Sequence, residues 1–137
     1  LKTIYMPSDN VQACLIEAAK ATRKGKTVDR AIFLDGDVNP LDFPDKNKTI
    51  EALSKDENYV FRKVVTVMRA KVVRTRPIFR EWSTSVFGVW DTSAMNWQDF
   101  VGIVERAGSF VGLGDWRPRY GRFEATVTQY PDQEVRF

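Results

Sequence analysis

The sequence predicts an α+β protein in which an antiparallel sheet is covered on one face by two helices. Residues 11–26 and 97–107 carry apolar side chains at helical spacing, whereas residues 59–76 and 82–90 alternate like strands. The chain has 137 residues, 43% of them hydrophobic and 28% charged, so it can build an ordinary hydrophobic core. We therefore expect a single domain over residues 1–137.

The N-terminal part is expected to contain the end of a strand, a helix and a short buried strand. Residues 1–6 alternate weakly, and the turn PSDN that follows offers several N-cap residues. An apolar run at residues 31–34 is compatible with a buried strand. Between them lies a helix with an apolar face made by Val11, Cys14, Leu15, Ala18 and Ala19.

The residue types that are missing limit the chemistry open to this chain. It has no histidine and one cysteine, Cys14, which excludes a disulfide framework, a cysteine-rich zinc site and a histidine base. Cys14 lies on the apolar face of the first predicted helix, so we interpret it as a buried structural thiol. We predict a protein that is not an enzyme and has no cofactor.

An acidic insertion is predicted over residues 35–58. Residues 35–57 contain seven acidic residues against three lysines, and one short helix is expected at residues 48–53. Connections of this length are uncommon in compact domains and are often functional or mobile. We interpret the insertion as a flap.

The start of the insertion resembles a calcium-binding loop, through Asp35, Asp37 and Asn39. The sixth position is Pro40 rather than glycine, and the twelfth is Lys46 rather than glutamate. The pattern therefore fails, and we predict no metal site.

Residues 59–76 form the strongest predicted strand, with one face in the core and the other mixed and cationic. Pro77 turns the chain, and residues 82–90 return as the second strand. Residues 62–80 contain seven basic residues and no acidic residue. The two strands are expected to form a basic β-hairpin, whose candidate phosphate-binding residues are Arg62, Lys63, Arg69, Lys71, Arg74 and Arg76.

The second helix has clear signals at both ends. Asn96 is a predicted N-cap with Asp99 at the third helical position, and Gly108 is predicted to end the helix. Its apolar stripe includes Trp97, which we interpret as a core residue. An alternating strand is expected over residues 122–129.

The glycine loop, residues 112–123 with the sequence GLGDWRPRYGRF, contains three glycines, three arginines and three aromatic residues. Such a loop can grip phosphates, because glycines let backbone amides approach a ligand while arginines and aromatic rings bind phosphates and bases. A purely structural interpretation of the loop stays open, in which the glycines form ordinary turns and the arginines are simply exposed to solvent. The candidate binding residues are Gly112, Gly114, Trp116, Arg117, Arg119, Tyr120, Gly121 and Arg122.

In order, the elements read as a ferredoxin-like βαββαβ arrangement with an insertion after the first helix. A helix that ends at Gly108, followed by Gly112-x-Gly114-x6-Gly121 before the last strand, resembles the glycine-rich loop of RAMP proteins, the repeat-associated RNA-binding proteins of CRISPR systems. The motif RTRP at residues 74–77, together with the glycine loop, also resembles small phage and prophage proteins of unassigned function.

The RAMP resemblance implies that the three loop glycines lie near an RNA backbone, with the loop arginines as their neighbours. RNA-cleaving RAMP proteins commonly use a histidine, and this chain has none. The resemblance therefore implies a binding subunit rather than a nuclease.

The leading functional prediction is a non-catalytic nucleic-acid-binding protein, with single-stranded RNA as the first expected ligand and single-stranded DNA as the second. One alternative is a protein-interaction or assembly subunit, such as a phage factor that binds a host complex or a protein that self-associates through its acidic insertion and basic hairpin. Another is a metal-dependent nuclease using Asp35, Asp37, Asp42 or Asp115.

The expected location is the cytoplasm, or the host cytoplasm if a phage encodes the protein. The sequence has no run of about 18 apolar residues and no signal-peptide pattern at its start. No membrane partner is predicted.

Overall fold

The computed structural model describes residues 3–114 and 117–130, which contain helices and short antiparallel strands. The α+β class is therefore confirmed. In chain order the elements are β1 (Tyr5–Pro7), α1 (Ser8–Ala19), a 3₁₀ turn (Lys20–Thr22), α2 (Gly25–Ala31), β2 (Ile32–Leu34), β3 (Val38–Pro40), α3 (Ile50–Ser54), a 3₁₀ turn (Glu57–Tyr59), β4 (Val60–Val67), β5 (Ala70–Pro77), β6 (Gly88–Trp90), α4 (Trp97–Arg106) and a π-helical turn (Ala107–Val111).

The contacts divide the chain into two compact units. The hairpin unit comprises Leu1–Met6 and Val38–Ser85, and the helical unit comprises Pro7–Asp37 and Val86–Phe137. The organisation into a single domain stays a prediction.

The core of the helical unit lies between α1, α2 and α4. Four of the five apolar residues predicted for the first helix are buried, including Cys14, and they pack with Val28, Ile103 and Ala107. The helix is shorter than expected, because Arg23 takes a left-handed conformation with φ of 60° and ends the first helical segment. Residues 25 and 26 therefore begin α2 rather than closing α1.

Strands β2 and β6 pair antiparallel, with Ile32 opposite Trp90. The predicted strand at residues 31–34 is thus confirmed, but the predicted strand at residues 82–90 is wrong over most of its length. Only its last three residues are a strand, and they pair with β2 rather than with residues 59–76. The close approach of the two strands requires a glycine at position 88, because a Cβ atom there would lie 2.6 Å from the carbonyl oxygen of Phe33.

Helix α4 begins as predicted. The side chain of Asn96 accepts a hydrogen bond from the amide of Asp99 at 2.8 Å, as an N-cap does. The end predicted at Gly108 is wrong, because the chain continues as a π-helical turn to Val111. Trp97 is half-buried and stacks on Phe100 with 5.7 Å between ring centroids.

The hairpin unit has its own small core. Leu41, Phe43 and Leu53 are buried, and the ring of Phe43 lies against Tyr59 and Phe79. The predicted short helix of the insertion is confirmed as α3, and β1 pairs with β3. The Tyr59 hydroxyl donates to the Asp45 carboxylate at 2.7 Å, which lowers the pKa of Asp45 and raises that of Tyr59.

The segment predicted as one long strand, residues 59–76, is instead a complete hairpin. Strands β4 and β5 pair along their full lengths, from Val60 opposite Pro77 to Val67 opposite Ala70. The turn consists of Met68 and Arg69, whose φ angles are 49° and 69°. The residue types at this turn do not reveal it, because such turns usually contain asparagine, aspartate or glycine.

We expect the double substitution Met68→Asn, Arg69→Gly to stabilise the hairpin by about 1 kcal/mol. Asparagine and glycine accept positive φ at little cost, whereas a left-handed residue of another type costs roughly 1–2 kcal/mol. Hydrogen exchange of the β4 and β5 amides measures the effect. Exchange in the variant that is as fast as in the parent would contradict it.

The ferredoxin-like arrangement is not confirmed. The strands of the described residues form three separate two-stranded sheets rather than one four-stranded sheet. The strand predicted at residues 122–129 is wrong, because those residues lack strand structure and most are exposed. The strands with which residues 122–129 were expected to form a sheet are paired elsewhere. Residues 59–76 pair with each other as β4 and β5, and β6 pairs with β2.

Candidate nucleic-acid interface

The β4–β5 hairpin brings the predicted cations together on one ribbon but divides them between its faces. Residues directly opposite each other share a face of an antiparallel pair. Lys63 is opposite Arg74 and Arg76 is opposite Phe61, so three cations share one face. The other face carries Arg62 and Lys71, and Arg69 lies in the turn.

Lys63 lies directly opposite Arg74, so two like charges are neighbours across the strand pair. Arg69, Lys71 and Arg74 are exposed, and within residues 3–114 and 117–130 they take part in no ion pair. They are therefore the hairpin cations best placed to meet a phosphate.

Arg62 differs from these cations, because its guanidinium lies 3.0 Å from the Glu57 carboxylate. Both side chains are exposed, so the pair contributes little to stability. A phosphate would nevertheless have to compete with Glu57 for this arginine.

The glycines of the glycine loop are explained first by the loop's own packing. Gly121 has a φ of 84°, and a Cβ atom there would lie 1.8 Å from the carbonyl oxygen of Leu113. The amide of Leu113 donates to the carbonyl of Gly121 at 3.0 Å, which closes the loop. Gly112 also has a positive φ, 77°, and its amide donates to Ala107. Gly114 has a φ of 101°, and no atom of the described residues other than its chain neighbours lies within 4 Å of where its Cβ atom would be.

Two loop arginines brace the loop itself. Arg117 donates to the carbonyl of Gly114 and Arg122 to the carbonyl of Pro118, each at 2.9 Å. Arg119 lies over the ring of Tyr120, 5.7 Å from its centroid. All three arginines are exposed, so the described part of the loop presents these cations and the Tyr120 ring to solvent. Trp116, also predicted here, lies outside the described residues.

Cys14 packs beneath this part of the helical unit. Its Sγ atom lies 3.8 Å from the carbonyl oxygen of Ala107. Burial raises the pKa of the Cys14 thiol, against a smaller opposing effect of Arg117 and the Gly112 amide. The interpretation of Cys14 as a buried thiol is confirmed.

The acidic residues do not form a metal centre in the part of the chain that the structure describes, where no three carboxylate or thiol groups come together. The backbones of Asp35 and Asp37 bond to Phe87 and Ser8. Asp115, the fourth acid considered for a nuclease, lies outside the described residues.

The structure thus gathers the hairpin candidates in one unit and the loop candidates in the other. It also reveals two residues that sequence analysis missed. The guanidinium of Arg106 lies 5.3 Å from the ring centroid of Phe110, and both side chains are exposed. Their spacing of four residues on a helix is a usable signal, but the pattern predicted a helix end at Gly108.

Comparison with protein-family models, curated proteins and solved structures found no match to this chain. No helix within residues 3–114 and 117–130 has the length and apolar character needed to cross a membrane.

Proposed function

We propose that this protein is a non-catalytic nucleic-acid-binding protein, with single-stranded RNA as the first expected ligand and single-stranded DNA as the second. The observation that carries the proposal is the β4–β5 hairpin, which concentrates six cations without an acidic residue on 18 residues of exposed ribbon. Cations that neutralise phosphates release counterions, and this release drives binding of nucleic acid regardless of its sequence.

The glycine loop supports the same function with a second kind of contact. Its exposed arginines and Tyr120 offer charge and a ring face, which together suit a single strand with unstacked bases. The ferredoxin-like topology and the resemblance to RAMP and phage proteins remain expectations from sequence motifs. The proposal rests on the charge and exposure of the side chains instead.

The test is fluorescence-anisotropy binding to short single-stranded RNA and DNA over a range of salt concentrations. The variant is Lys71→Gln, Arg74→Gln. The matched control is Lys20→Gln, Lys55→Gln, which also removes two exposed positive charges. These two lysines lie outside the hairpin and form salt bridges with Glu17 and Glu51.

For the hairpin variant we expect weaker binding and a weaker dependence on salt. The slope of log K against log salt should be smaller in magnitude by about 1.4, because each of the two lost phosphate contacts contributes about 0.7 on a single strand. The control should keep the slope of the parent. A parent that binds neither strand at low salt, or equal losses in both variants, would refute the proposal.

A protein-interaction role is the second candidate, and the exposed valines of the hairpin favour it. Val64 and Val73 are opposite each other on one face and are 59% and 63% exposed. Apolar side chains gathered on an exposed ribbon are typical of surfaces that bind another protein. The acidic segment is a less suitable surface for this purpose, because its own lysines pair with Asp42, Asp45 and Glu51. Sedimentation equilibrium that shows salt-insensitive self-association without nucleic-acid binding would favour this role.

A further inference from the structure

Phe110 is exposed because the end of α4 is a π-helical turn. The amide of Gly112 donates to the carbonyl of Ala107 at 2.8 Å, a bond that spans five residues. In a continued α-helix Phe110 would lie seven residues, or about two turns, after Ile103 and would share its buried face. Instead Ile103 is 6% exposed and Phe110 is 66% exposed, while Val111 packs against the core.

Arg106 lies next to the exposed Phe110 ring. Its guanidinium lies over the Phe110 ring, one turn earlier on the same helix. Aromatic rings and guanidinium planes are the two kinds of side-chain surface on which unpaired bases stack. π-helical turns are frequent at functional sites.

A second pair of the same kind lies at this end of the helical unit. Arg119 covers the Tyr120 ring, which is 37% exposed. The backbone of Tyr120 approaches Gly112, since a Cβ atom at Gly112 would lie 3.2 Å from the Tyr120 carbonyl oxygen. Gly112 is only two residues from Phe110, so the backbone segments that carry the two arginine–aromatic pairs lie close together.

The charge of this region is nearly balanced. Residues 105–124 contain four arginines and three acidic residues. Phosphate neutralisation would therefore contribute less here than on the hairpin, and the exposed rings would contribute most.

We propose that the Arg106–Phe110 and Arg119–Tyr120 pairs form a stacking surface for unpaired bases of a single-stranded nucleic acid. The inference rests on the proposed function, and it adds Arg106 and Phe110 to the site. It also assigns the contact to the bases of the strand rather than to its phosphates.

The test compares the parent with Phe110→Ala and Phe110→Trp, using single-stranded RNA that contains 2-aminopurine. The control is Phe87→Ala, which removes another exposed phenylalanine from the helical unit. An abasic strand of the same length separates contacts to bases from contacts to phosphates. Thermal unfolding confirms that each variant is folded.

We expect Phe110→Ala to bind RNA about fivefold or more weakly, the lower end of the effect of one lost stacking contact. Its salt dependence should equal that of the parent, because no phosphate contact is lost. Phe110→Trp and Phe87→Ala should bind like the parent, and 2-aminopurine fluorescence should be quenched by the parent but less by Phe110→Ala.

Three results would overturn the inference. If the parent binds RNA and Phe110→Ala binds equally well, only the stacking surface is refuted. The same holds if Phe110→Ala loses as much affinity for the abasic strand as for RNA. If the parent binds no nucleic acid, the proposed function fails as well.

Discussion

Replacing Gly121 by alanine is expected to lower the free energy of unfolding by about 2–5 kcal/mol. A left-handed conformation costs a residue with a side chain roughly 1–2 kcal/mol, and overpacking adds about 1–3 kcal/mol. Both costs arise here, because Gly121 has a φ of 84° and its Cβ atom would lie 1.8 Å from the carbonyl oxygen of Leu113. The loop would have to open, since Leu113 and Gly121 are also joined by a hydrogen bond. Chemical denaturation measures the change.

Two other glycines provide matched controls for this prediction. Gly114→Ala should lower the free energy of unfolding only by the backbone cost of about 1–2 kcal/mol, because its φ is 101° but no atom of residues 3–114 or 117–130 other than its chain neighbours lies within 4 Å of the new Cβ atom. Gly102→Ala, in α4, should be stabilising by about 0.5–1 kcal/mol, because nothing in the described part of the chain beyond its chain neighbours and its own helix backbone lies within 4 Å of the new Cβ atom and alanine favours a helix. Stability of Gly121→Ala equal to that of Gly114→Ala would show that Leu113 does not restrict the loop.

Replacing Ile103 by alanine should also destabilise the helical unit strongly, by about 2–5 kcal/mol. Ile103 is 6% exposed and belongs to the core cluster with Leu15 and Val28, so the lost methyl groups would leave a cavity. Because α4 carries Arg106 and leads into the glycine loop, loss of the Ile103 side chain should also make the loop less ordered. Denaturant unfolding gives the free energy, and hydrogen exchange of the Gly112 and Leu113 amides reports on the loop.

The conservative variant Ile103→Val is the control, with an expected cost of about 0.5–1.5 kcal/mol. It keeps most of the buried volume and should leave amide exchange in the loop almost unchanged. Equal costs for the two substitutions would mean that the surrounding side chains collapse into the space that alanine leaves.

Local signals in the sequence predicted the parts of the fold that depend on neighbouring residues. The N-cap at Asn96 was predicted correctly, because an asparagine followed by an acid three residues later stabilises a helix start wherever the helix packs. The burial of Cys14 also followed from helical spacing. The charge of the hairpin segment is a property of the sequence alone, since no acidic residue lies between Arg62 and Arg80.

Pairing of strands was where prediction failed. Residues 59–76 alternate throughout, and alternation is the same for one long strand and for two strands joined by two residues. The turn at Met68 and Arg69 lacks the residue types that favour positive φ, so nothing local marked it. The prediction of a strand at residues 122–129 was wrong for a related reason. A strand is stable only when it pairs with another strand, and an alternating pattern does not show whether such a strand is available.

Four features follow from the residues alone: the α+β class, the helix start at Asn96, the buried thiol and the concentration of cations and glycines in two segments. Tertiary contacts determine which strands pair, which arginines are engaged and which aromatic rings are exposed. Phe110 illustrates the difference, because the sequence places it beyond the helix end predicted at Gly108, whereas the structure places it in a π-helical turn with its ring exposed. Periodicity records what each residue prefers locally, whereas exposure depends on contacts between residues far apart in the chain.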